Sequence, residues 1–165
     1  MNILKKLNER FEEAILVFLL ANITIWVFVQ VIMRYVFHNS LTWSEEFVRW
    51  CFIWFIWVGV SYGFRVRKHI SITVFVDKLS GKYKKIAELL VNFIVLWCML
   101  NLFYFGYEQI SNPIISRQSS IVLKWPLFGS NVSMLWLYAS LPFGAFFSSF
   151  RLIQNIIVDI ATLRK

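Results

Sequence analysis

The run of residues best suited to chemistry is Thr42-Trp43-Ser44-Glu45-Glu46. Thr42 and Glu45 stand three apart, the spacing at which a hydroxyl and a carboxylate each satisfy a backbone N–H at a helix start. Both carboxylates would also gain from the positive end of the helix dipole. Arg49 follows Glu45 by four residues and so falls on the same helical face, which predicts an ion pair that lowers the cost of two charges at a membrane edge. A second, compatible reading makes Arg34, Trp43, Glu45, Glu46 and Arg49 a contact surface for another subunit or an external binding protein.

Catalysis has little support. The two histidines, His38 and His69, lie outside the apolar runs and on opposite sides of the membrane, so they cannot jointly hold a metal ion or haem. No phosphate-binding glycine loop and no zinc-binding HExxH helix is present, and no nucleophile is paired with a base. No apolar run carries an acidic residue near its middle, where a proton- or sodium-coupled carrier often keeps one. Cys51 and Cys98 sit inside apolar runs and read as small buried hydrophobes, not as a disulfide. No catalytic, cofactor-binding or metal-ligating residue is assigned, and the chain is not expected to be an enzyme.

The elements that must position these residues are membrane helices. The chain has 165 residues, of which 59% are hydrophobic and only 16% charged, more apolar surface than a soluble fold of this length can hide. Crossing about 30 Å of hydrocarbon takes roughly 20 helical residues, and four runs qualify, at about 14–36, 47–64, 86–107 and 132–150. The first is too long for a signal-peptide core and has no small-x-small cleavage pattern after it, so it is expected to stay as an anchor. The expected fold is an all-α integral membrane protein of four transmembrane helices with short interfacial amphipathic helices, forming a single membrane domain over 1–165.

Charge sets the orientation. Thirteen of the seventeen Lys and Arg residues fall before the first run, between the second and third, or after the fourth. Positive loops resist translocation, so both termini are expected in the cytoplasm. The net charge of +8 is thereby explained by anionic lipid headgroups, with no need for nucleic acid. Arg65, Arg67, Lys68 and His69 are candidate anchors in a cytoplasmic interfacial segment, 65–85. Residues 1–13 read as an amphipathic helix that lies on the membrane or continues into the first span, with Glu12 on its polar face. Residues 108–131, with Pro113, Pro126 and Gly129 around Ile121-Val122-Leu123, read as an extracytoplasmic loop dipping toward the interface.

Small residues mark candidate helix contacts. Gly59 and Gly63 form a GxxxG pair, and Ser140, Gly144 and Ser148 form a ridge in the fourth run, patterns that let backbones approach closely. Pro142 lies inside that ridge and removes one backbone donor, so a kink is expected there, one that serves packing. Asn22, Trp26, Gln30 and Arg34 recur every four residues in the first run and should face protein.

The order of these features resembles the small membrane subunit, of the Q or DctQ type, of tripartite ATP-independent periplasmic (TRAP) transporters. The residues that carry the resemblance are Trp43-Ser44-Glu45-Glu46 with Arg49 and the aromatic run after it, Gly59 leading to Phe64-Arg65, His69-Ile70, and Tyr138 with Leu141-Pro142-Phe143-Gly144. It covers nearly the whole chain, while Leu123-Lys124-Trp125-Pro126 only approximates the family's pattern.

The resemblance implies a four-helix scaffold in a bacterial inner membrane that binds a large multi-span subunit. That subunit would hold the sodium and substrate sites, and a periplasmic binding protein would deliver an organic acid such as a C4-dicarboxylate or sialic acid. Two other classes are open to a chain of this shape: a self-sufficient small four-helix exporter, whose usual carboxylate inside the first span is missing here, and a haem-holding membrane anchor of a redox enzyme, against which the two histidines argue.

Overall fold

With no water at mid-bilayer to receive its N–H and C=O groups, an apolar run must satisfy its backbone internally, and a helix does so within one segment. A computed structural model of the protein describes residues 2–66, 82–124 and 129–163. Its long helices are α1 (Asn2–Tyr35), α2 (Thr42–Val66), α3 (Lys82–Ser111) and α6 (Ser140–Leu163). Between α3 and α6 lie α4 (Pro113–Ser116), β1 (Ser119–Lys124), β2 (Asn131–Ser133) and α5 (Leu135–Tyr138). Among the described residues, four stretches are apolar and long enough to cross a membrane: Arg10–Tyr35, Thr42–Val66, Ile86–Ser111 and Leu135–Ala161. The chain is therefore a multi-pass membrane protein of four helices.

The helices pack in the order α1, α2, α6, α3, so that α2 and α6 form the central pair and α1 and α3 the flanks. None of the most apolar stretch of α1 or α3 is buried, against 44% of that in α6. The outer helices thus turn their apolar surface outward, as lipid requires. Serines fill much of the interior: Ser44, Ser61, Ser140 and Ser148 are all buried, and their small volume lets backbones close up.

Glycine contacts fall at particular crossings. A Cβ on Gly144 would lie 2.5 Å from Trp57 Cβ, and one on Gly106 would strike Leu141 Cδ2 and come within 3.0 Å of Pro142 Cδ. These are the close approaches of α6 to α2 and to α3. Gly59, expected from its GxxxG spacing to mark such a crossing, does not. A Cβ there would meet only Leu16 Cδ2, at an ordinary 3.8 Å, because α1 presents a leucine and not its backbone.

Pro142 has no N–H to give the Tyr138 carbonyl. The last span accordingly runs through α5 and α6, which meet at Ala139, whose backbone keeps helical angles (φ −62°, ψ −24°).

One expectation about a connecting segment needs correction, and one of two open readings is the one observed. Ile121-Val122-Leu123 is not loop but part of β1, which pairs antiparallel with β2 in the register Ser119 to Ser133 and Lys124 to Asn131, with an irregularity between. Pairing satisfies backbone groups that a loop near lipid would leave open. Residues 2–35 form one continuous helix, so the amphipathic start of the chain runs straight into the first span. Most of the interfacial segment 65–85, including Arg67, Lys68 and His69, lies outside the described residues.

Candidate functional site

The polar side chains gather at the two ends of the bundle. At the end that holds both termini, Glu12 of α1 is buried, 6% exposed. Its Oε1 accepts hydrogen bonds from Ser61 Oγ of α2 (3.1 Å) and Arg151 Nε of α6 (2.9 Å). Arg65 Nε lies 3.7 Å from Oε2, and the guanidinium sits 4.7 Å over the Tyr62 ring. Arg151 also donates to Gln154 Oε1 at 3.0 Å. One carboxylate therefore ties α1, α2 and α6 together.

This overturns the placement of Glu12 on a polar outer face. Its helical stripe continues through Ile15 and Leu19, which line an apolar groove beside Trp57 and Phe147, so packing that groove carries the carboxylate inward to the two arginines. Arg65, expected as an interfacial anchor, is turned toward the same carboxylate. A signal for Glu12 was present in the sequence, since an acid sits one turn before apolar residues on what became the packing face.

Two further bonds brace this end. Asn155 Nδ2 donates to the Phe64 carbonyl at 2.8 Å, near the end of α2, and Asn92 Nδ2 of α3 donates to Asp159 Oδ2 of α6 at 3.3 Å.

At the opposite end, Gln30 Nε2 of α1 donates to Glu45 Oε1 at 2.7 Å. Trp26 meets Trp43 edge-on at 4.8 Å and Phe47 at 6.1 Å. The expected Glu45–Arg49 ion pair does not form among the described residues, because the Gln30 amide takes the carboxylate and leaves Arg49 exposed. Thr42 is the first residue of α2, and the hydroxyl that bonds at this helix start is that of Ser44, donating to the Leu41 carbonyl at 2.8 Å.

Of the stripe expected to face protein, Gln30 and Trp26 bond or pack across to α2. Asn22 donates to Phe18 O of its own helix, and Arg34 is exposed. Ser140, Gly144 and Ser148 lie buried along α6, with Ser148 Oγ unbonded among the described residues.

Glu46 has a partner that sequence patterns did not suggest. Ser120 Oγ of β1 donates to its Oε2 at 2.6 Å and accepts from the N–H of Val122 (3.2 Å) and of Leu123 (2.8 Å). The hydroxyl pins the strand pair onto α2. Replacing Ser120 with alanine should cost the hairpin about 1–3 kcal/mol, the range for a bond to a charged group plus an unmet acceptor. Amide exchange over 119–133 should quicken accordingly in S120A and stay near the parent in Ser120→Thr; equal exchange in S120A and parent would refute the role given to the hydroxyl.

Above this cluster, Trp26, Trp43, Trp50, Trp54 and Trp136 line an apolar cleft of about 750 Å³, closed on one side by a bond from Trp54 Nε1 to the Trp136 carbonyl (3.1 Å). The arrangement braces the helices with aromatic side chains. Among the described residues, no three His, Cys, Asp or Glu side chains could hold a metal ion.

The chain is similar in sequence to known proteins. The family described as tripartite ATP-independent periplasmic transporters, DctQ component, matches residues 23–162. The sialic acid TRAP transporter small permease protein SiaQ of Vibrio cholerae is 27% identical over 156 residues, covering 94% of this chain and 85% of that protein. A putative TRAP transporter small permease protein of Haemophilus influenzae is 33% identical over 86 residues, 52% of this chain and 53% of its own. The sialic acid TRAP transporter permease protein SiaT of Haemophilus influenzae is 27% identical over 136 residues, 81% of this chain. This chain thus spans a fifth of SiaT and about half of the putative small permease. With four membrane helices and a family match over 23–162, the chain belongs to the DctQ component family of tripartite ATP-independent periplasmic transporters.

Proposed function

We propose that this chain is the non-transporting small permease subunit of a TRAP transporter. In this reading it sits in a bacterial inner membrane with both termini in the cytoplasm. It scaffolds a large multi-span subunit that carries out sodium-driven uptake of an organic acid, a C4-dicarboxylate or a sugar acid such as sialic acid, delivered by a periplasmic binding protein. The observation that carries the reading is where the polar groups stand. The charges that reach inward at either end are held by structural bonds, Glu12 with Arg151 and Glu46 with Ser120, and between them the described interior holds serine hydroxyls but no charged side chain. A carrier needs a polar, exchangeable site at mid-depth.

The match to a fifth of SiaT supports a large partner, since there a similar segment and a much longer remainder share one polypeptide. The gathering of Lys and Arg on the side of the termini supports the orientation. Reconstitution is the test. Vesicles holding this chain alone should show no sodium-dependent uptake of the organic acid, whereas vesicles that also hold the large subunit, supplied with binding protein, should show it. Uptake by the lone chain would refute the reading.

A further inference from the structure

Three features outside the bonds already described could carry more: the aromatic cleft, the groove beside α1, and the outward stripe of α2. The first two are lined mainly by apolar side chains, and the charges in the groove are the Glu12–Arg151 pair already described. The stripe is different, because it carries a charge with no partner among the described residues. Glu45, Arg49, Phe52 and Ile56 recur at helical spacing on α2 and all are exposed, Phe52 by 51% and Ile56 by 44%.

Arg49 lies seven residues into a helix that starts at Thr42, roughly 10 Å along its axis at 1.5 Å per residue. Other charges a turn or more inside a described span have partners: Glu46 has Ser120, and Arg151 has Glu12. Arg49 makes no hydrogen bond or ion pair with the described residues, and Glu45, its neighbour one turn away, is committed to Gln30. A guanidinium below the headgroups with no partner is costly in lipid, and α1 and α6 pack on other sides of α2.

We propose that this stripe of α2 is the docking face for the large permease subunit, and that the partner meets Arg49 with a carboxylate or a cluster of helix-end carbonyls while apolar side chains cover Phe52 and Ile56. The proposal rests on the functional reading above and adds to it the face and the chemistry of the contact. The flank made by α3 offers no such demand. Its outward residues Phe93, Ile94, Trp97 and Phe105 are apolar and suited to lipid.

The test is co-purification in mild detergent of this chain with its co-expressed, tagged large subunit, combined with cysteine cross-linking. Arg49→Glu should reduce recovery of the pair at least about tenfold, since reversing one member of a desolvated charge pair sets like charges against each other, while Arg49→Lys should keep most of it. The isolated small chain carrying R49E should unfold at the parent's temperature, because Arg49 supports nothing within it. Cysteines at Phe52 and Ile56 should cross-link to the large subunit, and cysteines at Ile94 and Trp97 should not.

Undiminished recovery with R49E, or cross-links from α3 in place of α2, would overturn this face while leaving the subunit assignment standing. Undiminished recovery combined with loss of bound phospholipid in R49E would assign Arg49 to a lipid phosphate and likewise overturn it. If the unaltered pair fails to co-purify, the functional reading itself falls, and this face with it.

Discussion

Replacing Glu12 with alanine should lower the unfolding free energy of this small chain by about 3–5 kcal/mol, the loss found when one member of a buried ion pair is removed and its partner left behind. The size follows from where the carboxylate sits. It is 6% exposed, bonded to Ser61 and Arg151 and faced by Arg65, so its removal takes away the carboxylate that joins both guanidiniums to α1 beside an apolar groove. Glu12→Gln should be nearly as damaging, because the amide keeps a bond to Ser61 but restores no charge.

The measurement is thermal or denaturant unfolding in mild detergent, followed by tryptophan fluorescence. Two companions give it discrimination. Arg151→Met combined with Glu12→Leu should recover part of the loss, since removing both members of a buried pair is far cheaper than removing one. Glu13→Ala, one residue along and exposed, should change little. If E12A unfolds with the parent, the carboxylate does not bind the three helices and the terminal end of the bundle is held by other contacts.

The second large effect concerns the central helix pair. Gly144→Ala should cost about 1–3 kcal/mol and Gly144→Leu more, by overpacking. The new Cβ would stand 2.5 Å from Trp57 Cβ and 2.9 Å from Trp57 Cε3. A Cβ is fixed to its backbone and cannot swing aside, so α2 and α6 must separate. Trp57→Gly removes both the struck carbon and the ring; combined with G144A it should make the alanine far less costly than it is alone, a coupling that a double-mutant cycle reads directly. Gly59→Ala is the contrast. Its Cβ meets Leu16 at 3.8 Å, an ordinary contact, and the gain in helix propensity of up to about 1 kcal/mol leaves it neutral or slightly stabilising. Equal penalties at the two glycines would refute this account of the crossing.

The contrast between these glycines shows what spacing can and cannot say. Gly59-x-x-x-Gly63 and Ser140-x-x-x-Gly144-x-x-x-Ser148 are the same kind of pattern, and a small residue permits a close approach wherever one occurs. Whether a neighbouring backbone arrives depends on which helix lies opposite. Gly144 faces the stem of Trp57, Gly59 faces the tip of Leu16, and Gly106, in no pattern at all, packs on Leu141 and Pro142.

The sequence by itself determined the class of the protein. Four apolar runs of spanning length, the charges between them and the absence of a mid-depth acid follow from hydration energies that act residue by residue, so they are legible without knowing any neighbour. So are the lost backbone donor at Pro142 and the small-subunit family, whose motifs lie in order along the chain. Only the tertiary structure decided the partners of the polar side chains. Glu12 finds Arg151 across 139 positions, Glu46 finds Ser120 across 74, and Glu45 takes the amide of Gln30 and not the guanidinium one turn away. Burial inside a helix bundle raises the worth of each such bond, and which groups meet is set by the order in which α1, α2, α6 and α3 pack. That order is a property of whole surfaces fitting together and of no single segment.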